Sequence, residues 1–570
     1  MTDDRQAFWG ARPAGDGRWH AALWAPEAQR VALRVNGADT DLHRDADGAW
    51  RGTAAASEGD AYLFVVDGKA LPDPASRRQQ GDLHGPSILT TLRKPDPWPA
   101  RPWSVAAVYE LHVGTFTDEG TFAAAARRLP DLAALGITAV EVMPIAQFAG
   151  SRGWGYDGVL PYAPHPAYGT PDDFAAFVGA AHEAGMMVIL DVVYNHFGPE
   201  GAYLGQIAPP FFTDDRHTPW GSAIDFTKVP VREYFIGNAL MWAAEFGVDG
   251  FRLDAVHELN DPSQPDILTE LSQRLRAALP DRPVHLIAED DRNLPRWRDA
   301  GAITANWNDD YHHSVHCLLT GEDESYYASF AVDPMDDLLR ALTMGHVEQG
   351  QHRPPKEEAR GARSSHLPPT AFVNANQTHD QVGNRAQGDR LLTLADPGQV
   401  RIAHALLLTS PAVPMLFMGE EAGVRRPFLF FADFDGDLGR AVTEGRRREF
   451  EGFGAFGEDV PDPLALETFT ASRPFTDLPD DADDWRDLTR RLLALRAASI
   501  APLLATRRRS ARAWRLGARS LCAEWRFDGG RIVTYANLGA APDRAWTLPG
   551  ADLSIAQPTD ACAFAIRITR

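Results

Sequence analysis

At 570 residues the chain exceeds what one hydrophobic core can hold, while 44% hydrophobic and 24% charged residues are ordinary for a globular protein. Its 56 Lys and Arg against 78 Asp and Glu leave a net charge of −22, which repels phosphate backbones and anionic lipid. Nucleic-acid and membrane-surface roles are therefore not expected. Cys317, Cys522 and Cys562 form no metal-spaced pair, and an odd count argues against a disulfide framework. The start carries Asp3, Asp4 and Arg5 without the apolar stretch of a signal peptide, and no run of about 18 uncharged apolar residues follows. A cytoplasmic location is expected.

Residues 1–98 alternate apolar and polar positions between Gly and Asp turns. Residues 30–35 run into Asn36-Gly37 and residues 61–66 into Asp67-Gly68, and such dipeptides after short alternating runs signal hairpins. An N-terminal β-sandwich of a carbohydrate-binding type is expected, although packing against its neighbour explains such a domain equally well. A Pro-rich linker, Pro95 to Pro102, leads into residues 99–499, where short apolar runs alternate with helical patterns. The runs are 107–112, 138–144, 187–191 continuing to His196, 249–256, 284–290, 303–308, 371–376 and 413–419. Thr170-Pro171-Asp172-Asp173 opens a helix with an N-cap, a first-position proline and an early acid. Phe174, Phe177, Val178 and Ala181 make its apolar face and Gly185 stops it. Phe235, Ala239, Trp242 and Phe246 repeat the design before Gly247. Eight such units over about 380 residues predict an α/β fold, a (β/α)8 TIM barrel with insertions. Residues 500–570 return to short strands, 520–525 and 531–535, and predict a C-terminal β domain.

In that barrel the chemistry lies at the C-terminal strand ends. The third run ends in Asp191, Asn195 and His196, the fourth carries Arg252 and Asp254, the fifth ends in Glu289 and the seventh leads to His379-Asp380. A single Asp or Glu is usually a solvated surface acid, but these directly follow buried-looking strands. Carboxyls converging without a metal signature suit glycosidic cleavage, where two of them about 5–5.5 Å apart act as nucleophile and general acid. Arg252 sits two residues before Asp254, on the same strand face, as a counter-charge for an ionised nucleophile. Glu289 faces other acids, which favours the proton a general acid must hold. Asp380 suits gripping sugar hydroxyls, with His196 and His379 as donors.

Asp191-Val-Val-Tyr-Asn-His196, Gly250-Phe-Arg-Leu-Asp-Ala-Val-His257, Ala288-Glu289 and His379-Asp380 resemble, in order, the four signature regions of the α-amylase superfamily. The resemblance implies Asp254 as nucleophile, Glu289 as acid/base and Asp380 as transition-state stabiliser. It further implies Asp191, His196, Arg252, His257 and His379 as substrate-binding residues and Tyr156 as the platform under the reacting sugar. A narrower likeness runs through Asp73-Pro-Ala-Ser-Arg77, His84-Gly-Pro-Ser87, Glu110-Leu-His-Val-Gly-Thr115, Trp154-Gly-Tyr-Asp-Gly158, Trp307-Asn-Asp-Asp-Tyr-His-His313, Asp380-Gln-Val-Gly-Asn-Arg385 and Glu444-Gly-Arg-Arg-Arg-Glu-Phe450. These are similar to maltooligosyltrehalose trehalohydrolases, which split the α-1,4 bond next to the terminal trehalose of maltooligosyltrehalose. That likeness implies trehalose biosynthesis, water as co-reactant, and functional pairing with a maltooligosyltrehalose synthase. Thr378 departs from the family's usual Asn before His-Asp.

No metal and no cofactor is assigned. His312 and His316 have the i, i+4 spacing of a helical zinc pair but lack the metalloprotease Glu, so a solvent- or sugar-contacting cluster with His313 is expected. Asp433-Phe-Asp-Gly-Asp437 with Glu444 has Leu438 where a calcium loop needs Gly. Asn195 matches a calcium ligand of many α-amylases, a site the narrower family generally lacks. Phe428, Phe430, Phe431 and Phe434 either wall the cleft or pack a loop, and Met186 and Met187 read as core. Glycogen branching or debranching enzymes and α-amylases share the three carboxyls and remain alternatives. A non-catalytic glucan-binding protein is the alternative from another class, and it has no need of an acid opposite a nucleophile.

Overall fold

The computed structural model describes residues 7–92, 95–218, 221–450, 460–540, 546–556 and 560–570. At the N-terminus two antiparallel sheets face each other. One has the order Trp9–Gly15, Arg18–Trp24, Ala49–Ala55, His43–Arg44; the other runs Ala38–Asp41, Val31–Val35, Ala61–Val66, Lys69–Leu71. The hairpin turns sit where the sequence puts them. Asn36 and Gly37 have φ 47° and 86°, Asp67 and Gly68 φ 49° and 88°, the paired left-handed residues that match strand twist.

The middle of the chain is a closed barrel of eight parallel strands: Val108–Leu111, Ala139–Val142, Met187–Val192, Gly250–Leu253, His285–Ala288, Ala305–Trp307, Phe372–Ala375 and Val413–Phe417. Each lies inside one of the apolar runs read from the sequence. The first strand pairs with both the second and the eighth, so no edge is left open. The helix Pro171–Glu183 carries the expected capping box between Thr170 and Asp173, and Phe174, Phe177, Val178 and Ala181 are buried beneath it. Met186 and Met187 are core.

Strand alternation sorts the barrel interior into two layers. Val108, Ala139, Ile189, Ile287, Ala305 and Val373 form an apolar lower layer. Two residues further along their strands stand Glu110, Glu141, Asp191 and Trp307, joined by Arg252 from the fourth strand, all buried. The upper layer is thus charged, and it lies directly beneath the rim.

Both terminal parts grip barrel helices. Trp9 Nε1 donates to the Pro230 carbonyl (2.7 Å), Tyr234 hydroxyl to Pro74 (2.7 Å), and Arg77 pairs with Glu245 (2.9 Å), all on the helix Val229–Glu245. The final sheet has the order Arg508–Gly517, Ser520–Phe527, Gly530–Asn537, Ala563–Thr569, Leu553–Ile555. Trp525 Nε1 donates to the Leu342 carbonyl (2.9 Å) in the helix Pro334–Met344. Among the described residues no helix is long and apolar enough to cross a membrane.

Candidate active site

Arg252 organises the rim. Its Nη1 lies 2.9 Å from Asp254 Oδ1, 2.7 Å from Asp191 Oδ2 and 3.1 Å from the Tyr156 hydroxyl, while Nη2 donates to Glu289 Oε2. Its guanidinium stacks 4.3 Å over the Trp307 ring. The sequence reading gave Arg252 to Asp254 alone. Because the fourth and fifth strands are neighbours with Leu253 opposite Ala288, the same cation reaches Glu289 as well.

Asp254 follows the fourth strand and is half-buried; Asn195 Nδ2 donates to its Oδ2 at 3.0 Å. Ala255, next in chain, is left-handed at φ 39°, and its N–H donates to Glu289 Oε2 at 3.1 Å. A non-Gly residue in that conformation is strained, and here the strain aims an amide at the acid/base candidate. Glu289 is half-buried too.

His379 and Asp380 open the short helix His379–Gly383. Thr378, the departure from the family's usual Asn, caps it, accepting from the Asp380 N–H at 3.2 Å. Asp380 Oδ1 accepts from Asn384 Nδ2 at 2.6 Å. Burial raises the Asp380 pKa, the positive His379 opposes, and Glu289 adds to the rise. Burial alone would lower the His379 pKa, but the charge and hydrogen bond of Glu110 outweigh it and raise it. Glu110 holds both the ring Nδ1 and the backbone N–H of His379 (the latter at 3.0 Å).

Tyr156 lies face to face with His379, ring centroids 5.1 Å apart at 23°, and donates to Asp191 Oδ2 at 2.6 Å. Burial lifts Asp191 to about 6, Arg252 opposing. The Trp154-Gly155-Tyr156 turn depends on its glycine: φ is 99°, and a Cβ would come 2.1 Å from the Pro144 carbonyl oxygen. His196 bonds to Asn195 Oδ1 and to the Tyr156 carbonyl (3.0 Å), and burial lowers it to about 4, a neutral donor. His257 lies beside Asp290 and Asp291, its Nδ1 3.5 Å from Asp291 Oδ1. Asp290 is already paired with Arg292 at 2.7 Å, an arrangement poorly suited to a cation.

One expectation needs correction. His312, His313 and His316 are buried, not open to solvent or sugar: His312 joins the Asn376 carbonyl (2.7 Å) and the Tyr327 hydroxyl (3.0 Å), and His316 pairs with Glu322 (2.8 Å). Burial lowers all three pKa values, so they act as neutral struts. Phe428, Phe431 and Phe434 are likewise core, leaving Phe430 half-buried against Trp154 at 5.3 Å. Asp433 ties down Ser151 and Arg152 (Ser151 N at 2.7 Å), and Asn195 faces Asp254.

The sequence reading missed Glu110 and Glu141 as parts of the site. Both are inward positions on barrel strands, opposite one another in register, and each is an acid among apolar neighbours. Burial, with Glu110 and Asp191 nearby, raises the Glu141 pKa well above the usual carboxylate range. Asp309, at the start of the helix Asp309–Thr320, is half-buried and accepts a 3.4 Å hydrogen bond from Gln381.

The model of the α-amylase catalytic domain matches residues 89–209. A malto-oligosyltrehalose trehalohydrolase of Deinococcus radiodurans is 44% identical over 79% of this chain and 76% of its own length. That of Mycobacterium tuberculosis is 41% identical over 78% of this chain and 80% of its own. A crystal structure described as a putative α-amylase from Salmonella typhimurium superposes with a TM-score of 0.94 at 45% identity, covering 99% of this chain and all of that one.

Proposed function

This chain belongs to the family of malto-oligosyltrehalose trehalohydrolases, and we propose the following assignment of its reaction to its residues. It is a glycoside hydrolase that releases trehalose from maltooligosyltrehalose. Asp254 attacks the anomeric carbon as the bond to the terminal trehalose unit breaks, and Glu289 gives its proton to the departing trehalose oxygen. The glucan is left joined to Asp254. Glu289 then takes a proton from water, the hydroxide oxygen bonds to the same carbon, and Asp254 leaves ionised. Two inversions return the α-configuration to the new reducing end. Asp380 stabilises the oxocarbenium-like transition state, with Asp191, His196, Arg252 and His379 as hydroxyl partners and Tyr156 as platform.

The observation that carries this reading is the single Arg252 guanidinium bonded to both Asp254 and Glu289. One such group bonded to both holds the two carboxyls side by side, an arrangement compatible with the ~5–5.5 Å separation of a retaining pair. The catalytic groups need no metal, and His257 is the least supported of the binding residues because it faces Asp290 and Asp291. A maltooligosyltrehalose synthase is the natural upstream partner, and the free Cys317, Cys522 and Cys562 suit a reducing cytoplasm.

The test is product analysis on maltotriosyltrehalose and maltopentaose. Free trehalose and maltotriose should appear from the first at a kcat/KM at least about tenfold above that for cutting the second. Equal efficiencies, or α-1,6 branches among the products, would replace the trehalose reading with that of an amylase or branching enzyme.

A further inference from the structure

The first N-terminal sheet turns Ala11, Ala21 and Ala54 into the sandwich core, and the alternate positions of the same strands face outward. Register there sets Arg12 opposite His20 and His20 opposite Thr53; the next rung is Gly10, Ala22 and Arg51. Gly10 and Ala22 are short where the others are long, and among them lies a hollow of about 300 Å³. The charges around it do not balance locally. Arg51 is fully occupied by Asp45 at 2.6 Å, Asp47 at 2.8 Å and the Ala7 carbonyl at 2.7 Å. Asp45, the acid in the wall, is thus already committed. Arg18 leans on the far end of the rung, its Nη2 3.1 Å from the Thr53 carbonyl oxygen. Arg12 has no partner among the described residues, and its Nε is buried without a hydrogen bond. A guanidinium is always charged and a buried donor left unpaired is costly, so this group calls for an acceptor.

We propose that this hollow is an anion site, separate from the barrel rim, that takes a phosphate-type group, free or carried by a small sugar, with Arg12 and His20 as its donors. The planar fork of Arg12 matches the geometry of an oxyanion, and His20 adds a ring N–H from across the rung. The volume stands at the small end of ligand pockets, which suits a group of that size. An uncharged glucan fits less well. Stacking against sugar needs an open aromatic face, and Trp9, the aromatic in the wall, is 5% exposed with its indole N–H on the Pro230 carbonyl. The net charge of −22 offers an anion no long-range attraction, so the donors of the hollow have to act at contact.

The test uses the full-length protein at fixed ionic strength, with inorganic phosphate, a hexose monophosphate and the uncharged hexose as probes. Calorimetric titration should find a single site for both phosphate probes and none for the hexose, and both phosphates should raise the melting temperature. Arg12→Gln and Arg12→Ala should each weaken binding at least about tenfold with kcat unchanged, and His20→Gln should weaken it as well. A hexose monophosphate held more tightly than inorganic phosphate identifies the carried group as the ligand; equal affinities identify the free ion. No binding of either phosphate probe, parent-like binding by all three variants, or hexose bound as tightly as its phosphate would overturn the proposal. Thermal unfolding of the unliganded variants separates loss of the site from loss of the fold.

Discussion

The rim carboxyls differ in what surrounds them, and substitution should expose the difference. Asp254→Asn, Glu289→Gln and Asp380→Asn each remove a charge or proton that the transition state uses, and each should lower kcat by at least about 10³ without unfolding the protein. A folded Asp254→Asn enzyme with more than a tenth of the parent rate would remove Asp254 from the nucleophile role. The Glu110–His379 pair gives a pH prediction. His379 has a raised pKa, so the stability it contributes is complete below the unfolded histidine value of about 6.5 and is lost as pH rises through the folded value. The gap in melting temperature between parent and Glu110→Gln should therefore narrow as pH rises above about 6.5 and through the raised folded value. An unchanged or widening gap would mean that His379 is neutral throughout. The residues that the structure gathers at the rim were legible wherever a motif carried them. Glu110 and Glu141 were less visible, because a lone acid in a strand has many bland explanations. The burial that brings these two beneath the rim is a property of the closed barrel.

Secondary elements were more legible than side-chain surroundings, for a physical reason. A parallel strand buried on both faces must be a continuous apolar run, and a helix needs its caps, so both leave marks within a dozen residues. The three histidines of Asp309–Thr320 show the limit: spacing shows them together on one helix, but only the packing of Tyr327 and Asn376 decides that they are buried. The turn at Gly155 is where an element controls the site most directly. Gly155→Ala should cost stability and lower kcat/KM, since the added carbon meets the Pro144 carbonyl and Tyr156 must shift off His379. Parent-like kinetics would show that Tyr156 is not held by this turn. Thr170→Ala removes one side of the capping box far from the rim and should cost about 1 kcal/mol with kcat unchanged, measured by denaturant unfolding.

On the scale of the molecule, the reaction course and the assembly of the domains can both be checked. Early-time NMR of the cleaved glucan should show the α-anomer first; β-anomer would exclude double displacement at Asp254. Activity should survive exhaustive chelation, and loss restored by calcium alone would reassign Asn195 from Asp254 to a cation. The overall architecture was readable because eight repeats of one βα pattern admit few arrangements. How the terminal sheets are attached was not, since the contacts of Trp9 with Pro230 and Trp525 with Leu342 span 221 and 183 residues.

Those two anchors set a timetable for the nascent chain. The N-terminal sandwich leaves the ribosome complete long before the helix Val229–Glu245, so that helix meets a finished partner as it emerges. The helix Pro334–Met344 has the opposite history. Its partner Trp525 is synthesised nearly two hundred residues later, and until then an apolar face beside the Asp309–Thr320 helix stands open to water and to chaperones. Translation stalled before Ser520 should therefore yield polypeptide that binds hydrophobic dyes more strongly than a chain stalled well beyond Phe527. The last sheet is thus a cover that arrives late for a helix made early.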